Sequence, residues 1–328
     1  MNEAISLLKQ LINIDSTYKK EIKLGNFLYK LLKNNGFEVK KTYVDKSRFN
    51  VIAKIGNPKI YLQAHMDTVY PFIPFSEDGK YIYGRGSCDT KGSIAAMISA
   101  ALSARNNDVK DFGLIFTTDE ETTFDGAKKI VKDKLKIPFV VVGEPTSLKI
   151  INSHYGIIAF KITAKGKAAH SSKPKEGVNA LELLLKVVNK ISNLKIHKES
   201  ILTLGQITGG IADNIIPADA MAVYSMRLSP NDKTDYIKKI KSMLVDNTYL
   251  QAVINVASVK SRLNPNFPNI SKPFTVKYFT ELSFFKNGVV LGPGDIAFAH
   301  GLNEKVLKKE VIRAGDIYLR ILKSFCKD

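Results

Sequence analysis

Apolar positions recur along the chain with two different periods, and these periods predict an alternation of helices and strands. Residues 3–35 repeat apolar positions at helical spacing, and Gly36 is a natural stop for a helix. The next predicted elements are three strands, a small-residue helix, a strand, a helix and a strand, at 37–44, 49–56, 59–65, 93–107, 112–118, 125–135 and 139–144. This alternation predicts an α/β layer sandwich with a largely parallel sheet.

The pattern changes at about residue 155. The predicted elements then follow the order strand, helix, strand, strand, helix and strand, at 156–166, 179–192, 201–210, 220–229, 234–247 and 251–261. This βαββαβ order is that of a ferredoxin-like split unit.

A second domain therefore interrupts the first in the sequence. Residues 262–273 are dense in Pro and Asn and indicate a linker back into the first domain, which closes with a helix from about residue 310. We predict a first domain formed by residues 1–154 and 264–328, and an inserted domain formed by residues 155–263. Insertions of this kind are tolerated where chain ends lie close together.

Composition narrows the class of protein. A hydrophobic content of 45% describes an ordinary globular protein, and no apolar run approaches the ~20 residues of a membrane helix. Only two cysteines are present, so no disulfide framework is expected. We therefore expect a cytoplasmic protein without a membrane segment.

The net charge of +18 is the strongest compositional feature. It fits an acidic partner, whether nucleic acid, membrane surface or protein, and equally a solvated surface with no partner. The excess is nearly all lysine, spread in ones and twos, whereas arginine, which suits bidentate contacts to phosphate and guanine, is scarce. A nucleic-acid partner is therefore not expected.

Carboxylates and imidazoles occur just past the carboxy ends of predicted strands, the edge at which open α/β sheets bind ligands. They are His65, Asp67, Glu120, Glu121, Glu144 and His300, together with Asp89 just before the small-residue helix. Taken singly, each has an ordinary structural role, such as a helix N-cap or a polar loop residue. Together they would repel one another unless divalent cations lay between them, and imidazoles favour zinc, cobalt or manganese over calcium.

Five stretches resemble, in order and over nearly the whole chain, the successive motifs of one enzyme family. They are HMDTV, GRGSCDTKG, DEE, GEP and a GPG…AH…NE segment. The family is the ArgE/DapE family of di-zinc hydrolases, which includes acetylornithine deacetylase, succinyl-diaminopimelate desuccinylase, aminoacylases and glutamate carboxypeptidases. The resemblance implies a zinc-hydrolase three-layer α/β sandwich. It also implies that residues 155–263 form a lid or dimerisation domain, so we expect a homodimer.

The resemblance further implies two divalent metal ions, with zinc expected and cobalt as the alternative. Asp89 would bridge the two ions. His65 and Glu144 would complete the ligands of one ion, and Glu121 and His300 those of the other.

Other residues receive roles by the same resemblance. Asp67 would accept a hydrogen bond from the far ring nitrogen of the first histidine ligand and fix its tautomer. Glu120 would be the general base that takes a proton from the attacking water and returns it to the leaving amine. In the inserted domain, His170 would help to hold the oxyanion, and Asn214 and Arg227 would bind substrate.

Two stretches depart from the family pattern. KYFTELSFF, with Thr280 and Glu281, stands where many relatives have a GTSDA-like stretch. AHGLNE replaces the commoner AHTPDE, which keeps His300 and Glu304 but loses the Thr-Pro. Both changes are expected near the substrate, so they bear on specificity.

Three further side chains receive no chemical role. His154 and His197 are expected at the surface. Cys88 directly precedes Asp89 and is expected to pack rather than to bind metal, because the family tolerates several small residues there.

Substrate identity is the least determined property. The compact chain looks most similar to the branch of the family that releases lysine or ornithine from an acidic amino-group carrier protein, and the charge of +18 would steer such a partner. A small N-acyl amino acid is the alternative substrate, as for a succinyl-diaminopimelate desuccinylase, an acetylornithine deacetylase or a metallo-carboxypeptidase. A catalytically silent binding protein on the same fold is the alternative from a different class.

Overall fold

The computed structural model describes residues 3–326, and the chain divides into two compact units. The first unit contains Met1–Ser153, Lys260–Thr275 and Thr280–Asp328, and the second contains His154–Val259 and Val276–Phe279. These limits lie close to the predicted domain limits. Each unit has its own hydrophobic core.

Helices and strands are numbered in chain order through both units. The helices of the first unit are α1 (Glu3–Ile12), α2 (Ile22–Asn34), α3 (Lys91–Asn106), α4 (Asp125–Lys132) and α7 (Lys308–Phe325), with short 3-10 helices at Glu281–Phe284 and Ile296–Phe298. The strands of its sheets are β1 (Glu38–Tyr43), β2 (Phe49–Ile55), β3 (Ile60–His65), β4 (Ser76–Glu77), β5 (Tyr81–Tyr83), β6 (Phe112–Thr117), β7 (Val140–Val142), β8 (Ile151–His154), β13 (Val259–Lys260), β14 (Phe274–Val276), β15 (Gly288–Val290) and β16 (Lys305–Leu307). The elements predicted between residues 37 and 144 are confirmed, with ends that differ by a few residues, whereas the helical pattern over 3–35 forms two helices, α1 and α2, with a non-helical segment between them.

The main sheet is mixed rather than uniformly parallel. Its order is β1-β2-β6-β3-β7-β15-β8-β13, with β14 beside β8. The central strands β6, β3, β7 and β15 run parallel, whereas β1, β2 and β8 pair antiparallel to their neighbours. The short link between β1 and β2 allows only an antiparallel pair, so the largely parallel prediction holds for the centre of the sheet.

Helices cover both faces of this sheet. Alternation along β2 directs Phe49 toward α2, where it packs against Gly25, and directs Asn50 to the opposite face. There the Asn50 side-chain amide donates to the Gly126 carbonyl of α4 at 2.9 Å. The prediction of a three-layer α/β sandwich is therefore confirmed.

The small residues of α3 allow close helix packing. Ala96, Ala100 and Ala104 are buried on this helix, which contacts α1, α7 and β3. Close packing of α3 places its first residues beside the carboxy end of β3, and this is where the predicted site begins.

The second unit has the predicted βαββαβ order. Its elements are β9 (Gly156–Lys165), α5 (Ala180–Ser192), β10 (Ile201–Gly209), β11 (Asp219–Leu228), α6 (Tyr236–Lys241) and β12 (Thr248–Val256), with a 3-10 helix at Pro174–Glu176. The antiparallel sheet has the order β10-β11-β9-β12. Phe160 and Tyr224 stack in its core with ring centroids 4.9 Å apart. This is the ferredoxin-like arrangement that the sequence predicts.

Two expectations for the second unit are wrong. His154 is buried rather than at the surface: its Nδ1 lies 2.9 Å from the Tyr155 carbonyl, and burial lowers its pKa to about 4. The helix predicted over 234–247 ends early, at Lys241, and a turn precedes β12, in which the Thr248 hydroxyl accepts a hydrogen bond from the Val245 N–H at 2.9 Å. His197, which was also expected at the surface, is partly buried, and its backbone N–H donates to the Tyr236 hydroxyl at 3.0 Å.

Membrane association through a spanning helix was not expected from the hydropathy pattern. Within residues 3–326, we find no helix that combines the length and the apolar character needed to cross a bilayer.

We predict that Gly113 in β6 tolerates no side chain. A Cβ there would lie 2.3 Å from the ring of Tyr61, which crosses Gly113 from the neighbouring strand. Gly113→Ala should therefore destabilise the protein by about 1–3 kcal/mol, measured as a lowered thermal midpoint. Gly79→Ala is the matched control, because a Cβ at Gly79 meets nothing within 4 Å. Equal midpoints for the two variants would contradict the prediction.

Candidate metal centre

His65 lies at the buried carboxy end of β3. This strand is paired on both sides, by β6 and by β7, and all six of its residues are buried. The His65 Nδ1 atom lies 2.9 Å from the backbone carbonyl oxygen of Asp67. A carbonyl can only accept, so Nδ1 carries a proton that is directed to Asp67, and Nε2 is the ring nitrogen that faces Asp89.

Asp89 lies between two imidazoles. Its Oδ1 atom is 3.0 Å from His65 Nε2, and its Oδ2 atom is 3.1 Å from His300 Nε2. The same His300 nitrogen lies 3.0 Å from Glu121 Oε1. Each oxygen of the Asp89 carboxylate thus faces a different ring, which is the geometry required of a bridging ligand.

Glu144 follows β7 and completes the cluster. Its Oε1 atom lies 3.9 Å from His65 Nε2 and is buried without a hydrogen-bond partner among the described residues. An unpartnered buried carboxylate oxygen is costly unless a cation or a proton compensates it.

The structure gives the Asp67 carboxylate a different contact from the one expected. Its Oδ1 atom lies 3.7 Å from His65 Nδ1, beyond a hydrogen bond, because the Asp67 backbone carbonyl occupies that position. The two carboxylate oxygens accept instead from the backbone N–H groups of Glu120 and Glu121, at 3.1 and 2.9 Å. Asp67 therefore holds the loop that follows β6, and it orients His65 through its backbone.

Burial and mutual repulsion perturb the acids of this cluster. Burial raises the pKa of both Glu120 and Glu144 well above the usual range, and neighbouring carboxylates raise each pKa further. Asp89 behaves in the opposite way, because hydrogen bonds from His300 and His65 outweigh burial and hold its pKa low. Contacts with Asp89 and Glu121 raise the pKa of His300 to about 10.

The residues present fit divalent cations. Ligand atoms of His65, Asp89 and Glu121 lie within 4.8 Å of one another. Two imidazoles and three carboxylates form a donor set that suits zinc and its neighbours in the first transition row. Bound cations would also offset the repulsion between the carboxylates, and the unpartnered oxygen of Glu144 could bind one of them.

Residues predicted in the inserted domain lie in the second unit. His170 is exposed, and its Nδ1 atom is 2.8 Å from the Ser172 hydroxyl. The Asn214 carbonyl accepts from the Ser171 N–H at 2.9 Å, whereas Arg227 lies within β11 opposite Ile201 and is half-buried. Their roles in catalysis and substrate binding remain predictions.

Glu281 forms a second layer beneath the cluster. It is fully buried, and its Oε2 atom accepts from the Thr117 hydroxyl at 2.6 Å and from the Gln63 side-chain amide. Burial raises the pKa of Glu281 to about 7. The departure of KYFTELSFF from the family pattern marked this position, but nothing in the sequence indicated that its carboxyl group lies under the site.

Arg85 and Glu304 are two further buried residues that were not predicted to act at the site. Glu304 Oε2 pairs with Arg85 Nη1 at 2.6 Å, and Glu304 Oε1 accepts from the backbone N–H of Asp89 at 3.1 Å. Cys88 is fully buried with its thiol 3.3 Å from the Asp295 carbonyl, a packing position as expected.

Comparison with known proteins places the chain in a family. A model of peptidase family M20/M25/M40 matches residues 61–324. A peptidase M20 domain-containing protein from Schizosaccharomyces pombe is 33% identical over 339 residues, which span 97% of this chain and 84% of the relative. A relative from Aspergillus clavatus, named as a probable carboxypeptidase, is 32% identical and spans 92% of this chain and 83% of its own. The chain belongs to the M20/M25/M40 family of peptidases.

Solved structures show the same fold. A tripeptidase from Staphylococcus aureus superposes with a TM-score of 0.83 at 22% identity, over 99% of this chain and 98% of its own. An M20 family metallo-carboxypeptidase from Sulfolobus solfataricus gives 0.79 at 16% identity, over 99% of both chains. A dinuclear metal-binding M20 peptidase from Bacillus subtilis gives 0.70 at 14% identity, over 98% and 96%. These structures confirm the predicted α/β fold, and the family model and the relatives above confirm the predicted family of peptidase-type hydrolases.

We predict that Glu281 makes the stability of the metal-free protein depend on pH. Its folded pKa of about 7 lies above the ordinary value of 4.5, so the folded state keeps a proton that the unfolded chain releases between these values. The free energy of unfolding should therefore fall as pH rises through this window, by roughly 3 kcal/mol from this group. Glu281→Gln should remove this part of the loss, measured by urea unfolding of chelator-treated protein at pH 4.5 and 8.

The exposed Glu182 supplies the control for this measurement. Glu182→Gln should leave the pH dependence unchanged. A Glu281→Gln profile that matches the wild type would show that Glu281 is ionised in the folded protein.

Proposed function

We propose that this protein is a two-metal hydrolase that cleaves linear amide bonds next to a carboxylate. The observation that carries the proposal is the Asp89 carboxylate, whose two oxygens face His65 and His300. In this proposal Asp89 is shared by two ions. His65 and Glu144 would complete the ligand set of one ion, and Glu121 and His300 would complete that of the other.

Glu120 is the proton carrier in this proposal. Two bound divalent ions would polarise the scissile carbonyl and lower the pKa of water. Asp67 fixes the backbone of Glu120, and the carboxyl group of Glu120 couples electrostatically with His65, Glu144 and Glu121. Glu120 takes a proton from the attacking water and transfers it to the leaving amine nitrogen. A carboxylate in this position can accept a proton from water and donate it to the leaving amine.

The names of relatives support a carboxypeptidase-type substrate, with a free carboxylate beside the scissile amide. Asn214 and Arg227 of the second unit are proposed to bind that carboxylate, and His170 to stabilise the oxyanion. We propose zinc as the natural ion and a homodimer formed through the second unit as the assembly.

A second candidate substrate is an acidic carrier protein that bears lysine or ornithine. The observation that favours it is the net charge of +18, because long-range attraction would raise the association rate with an acidic partner. Both candidates use the same amide chemistry and differ in what lies on the acyl side of the bond.

We predict that Glu120→Gln retains both metal ions and loses turnover by at least about 100-fold, because the amide cannot carry the proton. Metal content by atomic spectroscopy and release of amino acid from N-acyl amino acids and dipeptides are the measurements. Glu182→Gln is the matched control and should keep full activity. Retained turnover in Glu120→Gln would exclude Glu120 as the base.

A substrate panel decides between the two candidates. We expect zinc-loaded protein to release amino acids from C-terminal dipeptides and N-acyl amino acids, with a KM that changes little between 50 and 500 mM salt. Faster release from carrier-linked lysine, with a KM that rises steeply with salt, would support the carrier candidate instead. No release from any substrate by fully loaded protein would indicate a silent binding protein.

A further inference from the structure

Four residues of the cluster, which are His65, Asp89, Glu144 and His300, are held by two kinds of backbone. His65 is the last residue of β3 and Glu144 follows β7, and these two strands pair at the centre of the main sheet. Asp89 and His300 lie on loops outside that sheet, one between β5 and α3 and the other between β15 and β16. Something other than the main sheet must therefore set the distance between Asp89 and His300.

A small sheet brings the two loops together at their bases. Strand β5 pairs antiparallel with β16, and Tyr83 lies opposite Lys305. The loop of Asp89 leaves β5 at the same end at which the loop of His300 enters β16. Gly84 N–H donates to the Glu304 carbonyl at 3.2 Å and extends this pairing by one step.

A buried ion pair lies where the loops diverge. Arg85 and Glu304 are each 1% exposed, and Arg85 Nη1 lies 2.6 Å from Glu304 Oε2. Burial of two charges is costly unless their remaining hydrogen-bonding groups are also satisfied. The free oxygen of Glu304 accepts from the backbone N–H groups of Cys88 and Asp89, both at 3.1 Å.

The guanidinium of Arg85 contacts the other loop. Its Nη1 donates to the Gly301 carbonyl at 3.3 Å and its Nη2 to the His300 carbonyl at 3.4 Å. Its Nε donates to the Pro71 carbonyl at 3.1 Å, in the segment that follows β3. His300 has a φ of 64° and a side chain that is 51% exposed, so neither a relaxed backbone nor burial holds it in place.

We propose that Arg85 and Glu304 form a positioning pair that sets the separation of Asp89 and His300 and would thereby hold in place the ligands of the cation assigned to His300 and Glu121. Glu304 fixes the backbone of Asp89, and Arg85 fixes the backbone of His300. The ion pair joins the two. Neither residue is among the proposed metal ligands. The inference rests on the two-metal centre of the proposed function.

The test is metal binding by the full-length protein. Chelator-treated protein is titrated with Co²⁺, with binding followed by calorimetry and by the visible absorption of the bound ion. Wild type should bind two ions. Arg85→Met should keep one ion with little change and bind the second 10–100-fold more weakly, the usual effect of removing a group that orients a ligand. Glu304→Gln keeps the shape and should weaken the same ion.

Controls separate positioning from general instability. Leu8→Ala removes a fully buried side chain of α1, distant in sequence from both loops, and should lower the melting temperature without altering either affinity. Arg85→Lys keeps the charge but lacks the planar fork, so it should fall between wild type and Arg85→Met.

Three outcomes overturn the inference: equal weakening of both ions, no weakening in Arg85→Met and Glu304→Gln, or the same selective loss in Leu8→Ala. Wild-type protein that binds fewer than two ions would instead overturn the metal centre of the proposed function, so the two failures are distinguishable.

Discussion

The carboxylate of Asp89 makes contact with two imidazoles at once, and the surrounding first unit is organised so that this contact is possible. His65 reaches it from the centre of the sheet and His300 from a loop outside the sheet. Glu121 and Glu144 bring further negative charge to the same volume. A buried concentration of carboxylates of this kind is unfavourable by itself and becomes favourable when divalent cations occupy it.

The protein reduces this electrostatic cost in the layer behind the ligands. The carboxylate oxygens of Asp67 accept hydrogen bonds from two backbone N–H groups. These bonds partly offset its negative charge and so reduce its repulsion of the other carboxylates in the cluster. Glu304 is neutralised by Arg85. Glu281 has a pKa of about 7 and keeps its proton through the acidic range. Each of these carboxyl groups therefore supports the site without competing for its cations.

The proposed metal centre accounts for the class of reaction but not for the choice of substrate, which depends on other parts of the chain. In the proposed reaction, amide hydrolysis uses cations, a proton carrier and water, and the residues proposed to hold the cations and to carry the proton lie in the first unit. Selection among peptides, N-acyl amino acids and carrier-linked amino acids must come from residues that contact the acyl and amino acid portions. The residues predicted for this purpose lie in the second unit, whose lysine-rich sequence contributes to the net charge of the chain.

The sequence by itself determined the elements, the family and the residues of the cluster. Periodicity located β3, α3 and the βαββαβ unit, because burial imposes a repeat of two or of about 3.6 positions on any sequence. Ordered motifs indicated His65, Asp89 and Glu121 as neighbours. Only the tertiary structure decided that Asp67 binds a loop instead of an imidazole, that His154 is buried, and that Arg85 and Glu304 join two ligand loops. These contacts connect residues more than 50 positions apart or depend on which atom of a residue is closer, and neither property leaves a periodic trace in the sequence.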